Sequence, residues 1–320
     1  MTLPVRSGEL PDSFGNVTAE YLALRRGCGL VAGLWEVVWV EGADAVSFMQ
    51  GLVSADVESL PSGGVCRSFF LTPRGMVRFV LWILKDDRGL GLICEKGEGM
   101  ELAEMLGYYR IRVKAQVRVG SRAVSALVGP DCPWREAVED GNWMRDGEDF
   151  RAAAALADLP RMFFTADSPA GAHPVGELAW RAVRVEAGEP SASIDLDQRT
   201  IPQETGHLAE AAISFTKGCF LGQELAARID SRGRVNRTLR GLELTTNILP
   251  PEGAEVRKGD RKVGRITSVA ESLEVRAPVA LSLIRRGADP GDGVQVLWEG
   301  GEAPAVVRAL PMVGGPPNKG

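Results

Sequence analysis

Between residues 36 and 128, apolar residues come in short runs whose spacing switches between strand-like and helix-like. Residues 36–40 read as a strand, which Gly42 ends. Residues 43–53 follow as an amphipathic helix, with Ala45, Phe48, Met49 and Leu52 at helical spacing. Residues 67–71 and 77–84 are strands on either side of a Thr72-Pro73-Arg74-Gly75 turn, and so predict a hairpin. Residues 90–94 add a strand, 98–109 a helix, and 116–119 and 124–128 two further strands. The pattern is weakest from 140 to 174. There the alanine-rich run 151–159 predicts a helix, and Ser168-Pro169-Ala170-Gly171 a break. Residues 179–186 fit a strand or a short helix.

After Arg240 the character changes. Short apolar runs at 239–244, 262–269, 279–284, 294–298 and 305–310 are separated by Gly/Pro-rich turns, which predicts a small β-barrel or sandwich. Residues 247–253 form the expected junction, and 314–320 a loose tail. Strands and helices mix without strict alternation, and the hairpin implies antiparallel pairing. The expected class is therefore α+β rather than a doubly wound parallel sheet. No Gly-x-Gly-x-x-Gly follows a strand, so a dinucleotide fold has no support.

Composition narrows the function classes. The 320 residues are 45% hydrophobic and 25% charged, as in ordinary globular proteins. No apolar run approaches the ~20 residues of a membrane span, and the first twelve residues carry no secretory pattern. A cytoplasmic protein without membrane contacts is expected. The net charge of -5 argues against direct nucleic-acid binding. Arg228, Arg232, Arg234, Arg237 and Arg240 nevertheless crowd one stretch, which is either a solvated loop or a patch for phosphate or carboxylate groups. Five scattered cysteines without a C-x-x-C pair, and only two histidines, give no metal site.

One cysteine stands apart. In Lys217-Gly218-Cys219-Phe220-Leu221-Gly222-Gln223-Glu224 a thiol sits between a lysine and an expected helix start. Both neighbours favour thiolate, so Cys219 and Lys217 are the candidate reactive pair, with Gly218 and Gly222 expected to loosen the backbone. Cys94 lies in an apolar run and reads as a small core residue. Glu224 and Arg228 have the spacing of a helical ion pair. Glu186 and Glu204 either pair with nearby arginines or face a ligand. Trp35, Trp39, Trp82 and Trp180 read as core, with Trp180 also able to stack on a ligand.

The octapeptide resembles the K-G-C-[FY]-x-G-Q-E signature of the YgfZ family, a folate-binding branch of the glycine-cleavage T-protein (aminomethyltransferase) superfamily. Arg184-Val185-Glu186-Ala187-Gly188 is similar to the family's R-x-E-A-G element, and Ile201-Pro202-Gln203-Glu204 to its P-x-E element. Val263-Gly264-Arg265-Ile266-Thr267-Ser268 resembles a strand of its C-terminal barrel, and Val40-Glu41-Gly42-Ala43-Asp44-Ala45 the stretch that opens the first helix. The resemblance implies two interlocked ferredoxin-like α+β subdomains over residues 1–240 and a β-barrel over 241–320. It implies a tetrahydrofolate site to which Glu186, Glu204, Gln223, Glu224, Arg228 and Trp180 would contribute. It also implies a role in assembling or repairing iron–sulfur clusters, with Fe–S client enzymes (tRNA-modifying ones among them) or assembly proteins as partners.

Departures from the pattern bear on chemistry. The superfamily's transferases carry an acid pair in an N-x-x-G-G-x-x-D-D hairpin, and here Phe79 and Val80 take those two positions. Hydrocarbon side chains move no proton. The transferases' G-Y-T-G-E-D-G stretch has no counterpart around residues 161–167, Trp180 stands where an arginine would fall, and no tyrosine lies near the end of the chain. The expectation is an accessory protein without a defined reaction of its own. Aminomethyl transfer is the alternative.

Overall fold

The computed structural model describes residues 10–133, 137–232 and 235–314. Helix α1 (Val17–Arg26) leads into the long strand β1 (Gly29–Glu41). After α2 (Ala45–Gln50) come β2 (Val65–Leu71), β3 (Val77–Asp86), β4 (Gly89–Glu95), α3 (Gly99–Tyr109), β5 (Gln116–Val119) and β6 (Val124–Val128). Next come β7 (Trp143–Asp146), β8 (Asp149–Ala153), β9 (Arg161–Phe164), β10 (His173–Pro174) and α4 (Glu177–Ala187). A 3-10 turn at Pro202–Thr205, α5 (His207–Ala212) and α6 (Gln223–Arg232) complete the first part. The last six strands are β11 (Arg237–Leu244), β12 (Glu255–Lys258), β13 (Arg261–Ser272), β14 (Ala277–Arg285), β15 (Gly293–Trp298) and β16 (Gly301–Arg308).

Strand β1 joins two halves of one sheet, whose order is β2-β3-β4-β1-β6-β9-β8-β7 with β5 and β10 also on β1. Along one edge, Trp35 to Glu41 pair with β4. Along the other, Gly29 to Trp35 pair with β6 and Val38 to Glu41 with β5. Its side chains alternate between two cores, as the pleat requires. Trp35, Val37 and Trp39 enter one core, with Tyr21 and Leu24 of α1 and Trp180 and Val183 of α4. Val38 and Val40 enter the other, with Ala45 and Met49 of α2 and Leu102 and Leu106 of α3. Being apolar on both faces, β1 is covered by helices on both.

The six last strands close into a barrel, β11-β14-β13-β12-β15-β16. Leu239, Val279, Leu281 and Leu283 of the barrel share the core of α4 and the sheet, so α4 lies between the two layers. The α+β class and the closed C-terminal barrel agree with the sequence reading. Three local expectations do not. The run 151–159 is not a helix: β8 occupies its start, and Leu156 and Leu159 bridge each other in a turn with Ala157 at φ 52°. Pairing of β8 with β7 and β9, and the burial of Ala152 and Ala154 in the core, override alanine's helix preference. Residues 247–253 are no junction but a loop inside the barrel, between β11 and β12, and β12 itself was not visible as an apolar run. The barrel begins at Arg237.

Candidate functional site

The cysteine segment is pinned on both sides of the cysteine. The Ser54 hydroxyl donates to the Ala212 carbonyl (2.6 Å), and the Ser214 N–H donates to Ser54 O (2.9 Å), tying the end of α5 to the chain after α2. The Lys217 ammonium donates to Val53 O and Ala55 O, both at 2.7 Å, and lies 5.2 Å from the centre of the Phe220 ring. Phe220 is buried among Phe69, Leu71 and Val77 of the β2–β3 hairpin. Its N–H donates to Gln223 Oε1 (3.1 Å), and the Leu221 N–H donates to Gly51 O (2.9 Å). Between these anchors Cys219 is exposed, with no hydrogen-bond partner among the described residues.

This arrangement changes the expected activation. Lys217 makes no hydrogen bond to Cys219 among the described residues; its ammonium closes the loop onto two carbonyls. Burial pushes that ammonium down to about 8, against the pull of Asp56 and Glu58. Gly222 does not loosen the backbone either. It sits at φ 75°, and a Cβ there would lie 2.4 Å from Thr72 O and 3.0 Å from Gly75 Cα. Gly75, at φ 82°, meets Leu225 and Gly222 O as closely. The two glycines let the cysteine loop dock on the hairpin turn, while Gly218 faces open space.

That hairpin carries no acid pair. Phe79 is fully buried, edge-to-face with Phe70 at 6.0 Å, and Val80 packs against the Phe69–Phe220 cluster. Residues of the turn, Glu101, Ala192, Ser193 and residues 196–199 line a cavity of about 820 Å³. Glu101 there is ion-paired with Arg78.

The other residues expected at a folate site do not converge. Glu186 has 0% exposure; it accepts hydrogen bonds from Tyr21 (2.6 Å) and Ser272 and pairs with Arg25. Trp180 is buried edge-to-face against Trp35, 5.7 Å between ring centres. Glu204 accepts from Arg237 (2.9 Å) and from the Ile201 N–H (3.2 Å), and burial raises its pKa against those bonds. Gln223 caps the Phe220 turn. Glu224 and Arg228 form the helical ion pair at 2.6 Å, both exposed. Tetrahydrofolate needs a pocket that these groups face together, and Glu186 and Trp180 are already committed to packing and internal bonds. These residues do not fit the cofactor as one site.

Two buried ionic clusters escaped the sequence reading. Glu189, just beyond α4, binds Arg67 (2.9 Å) of β2 and Arg161 (2.8 Å) of β9, and both guanidinium groups lie against the Trp82 ring. Burial alone would raise the Glu189 carboxyl, but Arg161 and Arg67 hold it down at about 2. Arg184 binds Asp195 (2.6 Å) and donates to Ser268 (2.7 Å), while Thr267 and Ser268 both donate to Asp195. Glu189 follows the R-x-E-A-G element, and Arg184, Thr267 and Ser268 lie within the two quoted elements, but no spacing told which residues would meet.

Residues 237–313 match the family model of the glycine cleavage T-protein C-terminal barrel domain. A solved structure, aminomethyltransferase T of the glycine cleavage system from Bartonella henselae, superposes with a TM-score of 0.87 over 95% of this chain and 92% of that one, at 20% identity. The chain thus has the T-protein fold. By sequence it is 28% identical to the aminomethyltransferase of Thermus thermophilus over 95% of its length and 92% of the relative's. It is also 28% identical to the tRNA-modifying protein YgfZ of Yersinia enterocolitica, covering 69% of this chain and 72% of that protein. In the cysteine octapeptide and in these relatives the chain is similar to the YgfZ branch of the T-protein superfamily.

Proposed function

We propose that this chain is a YgfZ-type accessory protein that supports iron–sulfur enzymes, tRNA-modifying ones among them, and acts through Cys219. The observation that carries this is a single exposed thiol held between pinned neighbours. Fixing the loop in advance lowers the ordering cost when a partner docks on it. One thiolate offers one ligand, so a cluster contacted here would keep its remaining ligands on the client. Buried Phe79 and half-buried Val80, in place of acids, support an accessory role over aminomethyl transfer.

The test is rescue of a strain lacking its own YgfZ, read as iron–sulfur enzyme activity and thiolated tRNA. Cys219→Ala is expected to lose rescue while its melting curve stays within about 0.5 kcal/mol of wild type, as for an exposed residue. Full rescue by Cys219→Ala would sink the mechanism. Titration of the pure protein with tetrahydrofolate is expected to give no saturable heat. Formation of methylenetetrahydrofolate from an aminomethyl donor would instead establish the transferase reading.

A further inference from the structure

A second concave site lies at one end of the barrel and shares Arg199 with the cavity at the hairpin turn. Its volume is about 760 Å³, and its charged lining is Arg199, Arg237, Arg261, Arg285, Arg286 and Glu204. Adjacent strands bring these groups together: β11 starts at Arg237, its neighbour β14 ends at Arg285, and the next strand, β13, starts at Arg261. Arg237 and Arg285 are direct cross-strand partners. Like charges in that position repel.

Only Arg237 is neutralised from within. It binds Asp197 through two bonds of 2.6 and 2.7 Å, and Glu204 through one of 2.9 Å. Those bonds also occupy Glu204, the one acid of the lining. Arg199, Arg261, Arg285 and Arg286 have no ion pair among the described residues. Neighbouring Lys258 is taken up by Asp292 and Gly287 O. A chain with net charge -5 therefore gathers around one hollow four guanidinium groups that have no ion pair among the described residues. The basic strip expected at Arg228–Arg240 contributes only Arg237 to it; Arg234 and the side chain of Arg232 lie outside the described residues.

The wall also leaves room at the right place. Gly287 turns at φ 95°, and a Cβ on it would lie 3.4 Å from Arg261 Nη1. No aromatic ring and no aliphatic side chain lines the hollow, so recognition there rests on charge and not on stacking. Guanidinium forks match tetrahedral oxyanions through paired N–H bonds, and four of them need a compact ligand of several negative charges. We propose that this cleft binds a ligand carrying two or more linked phosphate groups.

The experiment is calorimetry on the full chain at low salt, with inorganic triphosphate as one probe and a short RNA hairpin as another. Wild type is expected to bind triphosphate saturably. Arg261→Ala with Arg285→Ala is expected to weaken it roughly tenfold or more, the loss of charged hydrogen bonds. A control pair of equal charge change, Arg118→Ala with Arg122→Ala, should leave it unchanged. Melting of the cleft variant guards against misfolding: relief of repulsion predicts an unchanged or higher midpoint, and no further rise with triphosphate. RNA binding with the same dependence on Arg261 and Arg285 would identify a nucleic-acid backbone as the source of the phosphates; triphosphate alone would identify a free phosphate compound. Absence of saturable binding by both probes, or equal weakening in the control pair, overturns the proposal.

Discussion

Lys217 shows how a residue's neighbours in sequence can mislead about its work. Beside Cys219 it reads as a charge that activates a thiol, yet its ammonium points to carbonyls 162 and 164 residues earlier in the chain. No local pattern encodes that turn inward, whereas the cysteine itself was plain from its motif. A pH signature follows. The folded pKa near 8 lies below the ordinary 10.5, so the unfolded chain binds more protons between those values. Stability from this group is expected to be lowest below pH 8 and to rise between pH 8 and about 10.5. Chemical denaturation across that range checks it, and Lys217→Met should abolish this slope. Titration of a labelled Lys217 with a midpoint at the ordinary lysine value would refute it.

At the scale of elements, the hairpin and the cysteine loop behave as one unit because two glycines touch. The prediction separates the glycines of the motif. Gly222→Ala meets a backbone oxygen at 2.4 Å and a strained φ, and is expected to destabilise by roughly 2 kcal/mol or more. Gly218→Ala meets nothing within 4 Å and should be neutral or slightly stabilising. Urea midpoints decide between them; equal effects would mean that the loop does not dock. Legibility varied for a physical reason. Strands such as β3, whose buried side chains alternate, announced themselves. β8 did not, since its alanines carry a helical preference that only pairing with β7 and β9 reverses. β12 is short and charged and holds its place by hydrogen bonds to β13 and β15.

Across the whole molecule, buried charges hold the layers together. Glu189 links β2 in one half of the sheet to β9 in the other, and Arg184 links α4 to the barrel through Asp195 and Ser268. Glu189 has a folded pKa near 2 against an ordinary 4.5. Its contribution is therefore complete above pH 4.5 and is lost as pH falls from 4.5 towards 2. Acid unfolding monitored by tryptophan fluorescence should show this window, and Glu189→Gln should shrink it; an unchanged acid profile in that variant would count against the cluster. The α+β class and the short C-terminal strands could be read from apolar spacing, but these links could not, because their partners stand far apart in sequence. Glu186 makes the same point: it carries a ligand-like motif, and its carboxylate bonds Tyr21, Arg25 and Ser272.

The Glu186 cluster also sets an order of manufacture. Tyr21 and Arg25 leave the ribosome long before Glu186, but Ser272 follows 86 residues after it, and Ser268 follows Arg184 by 84. Until β13 has been made, Glu186 has Tyr21 and Arg25, and Arg184 has Asp195, but the serine hydroxyls that complete both sets are missing, and buried polar groups want every partner. The barrel strand β13 thus completes both clusters after the sheet and α4 have been made. A message cut short before β13 would release a chain that lacks Ala270, Val279, Leu281 and Leu283 over the core of α4, and the apolar surface left bare is a natural substrate for chaperones and proteases.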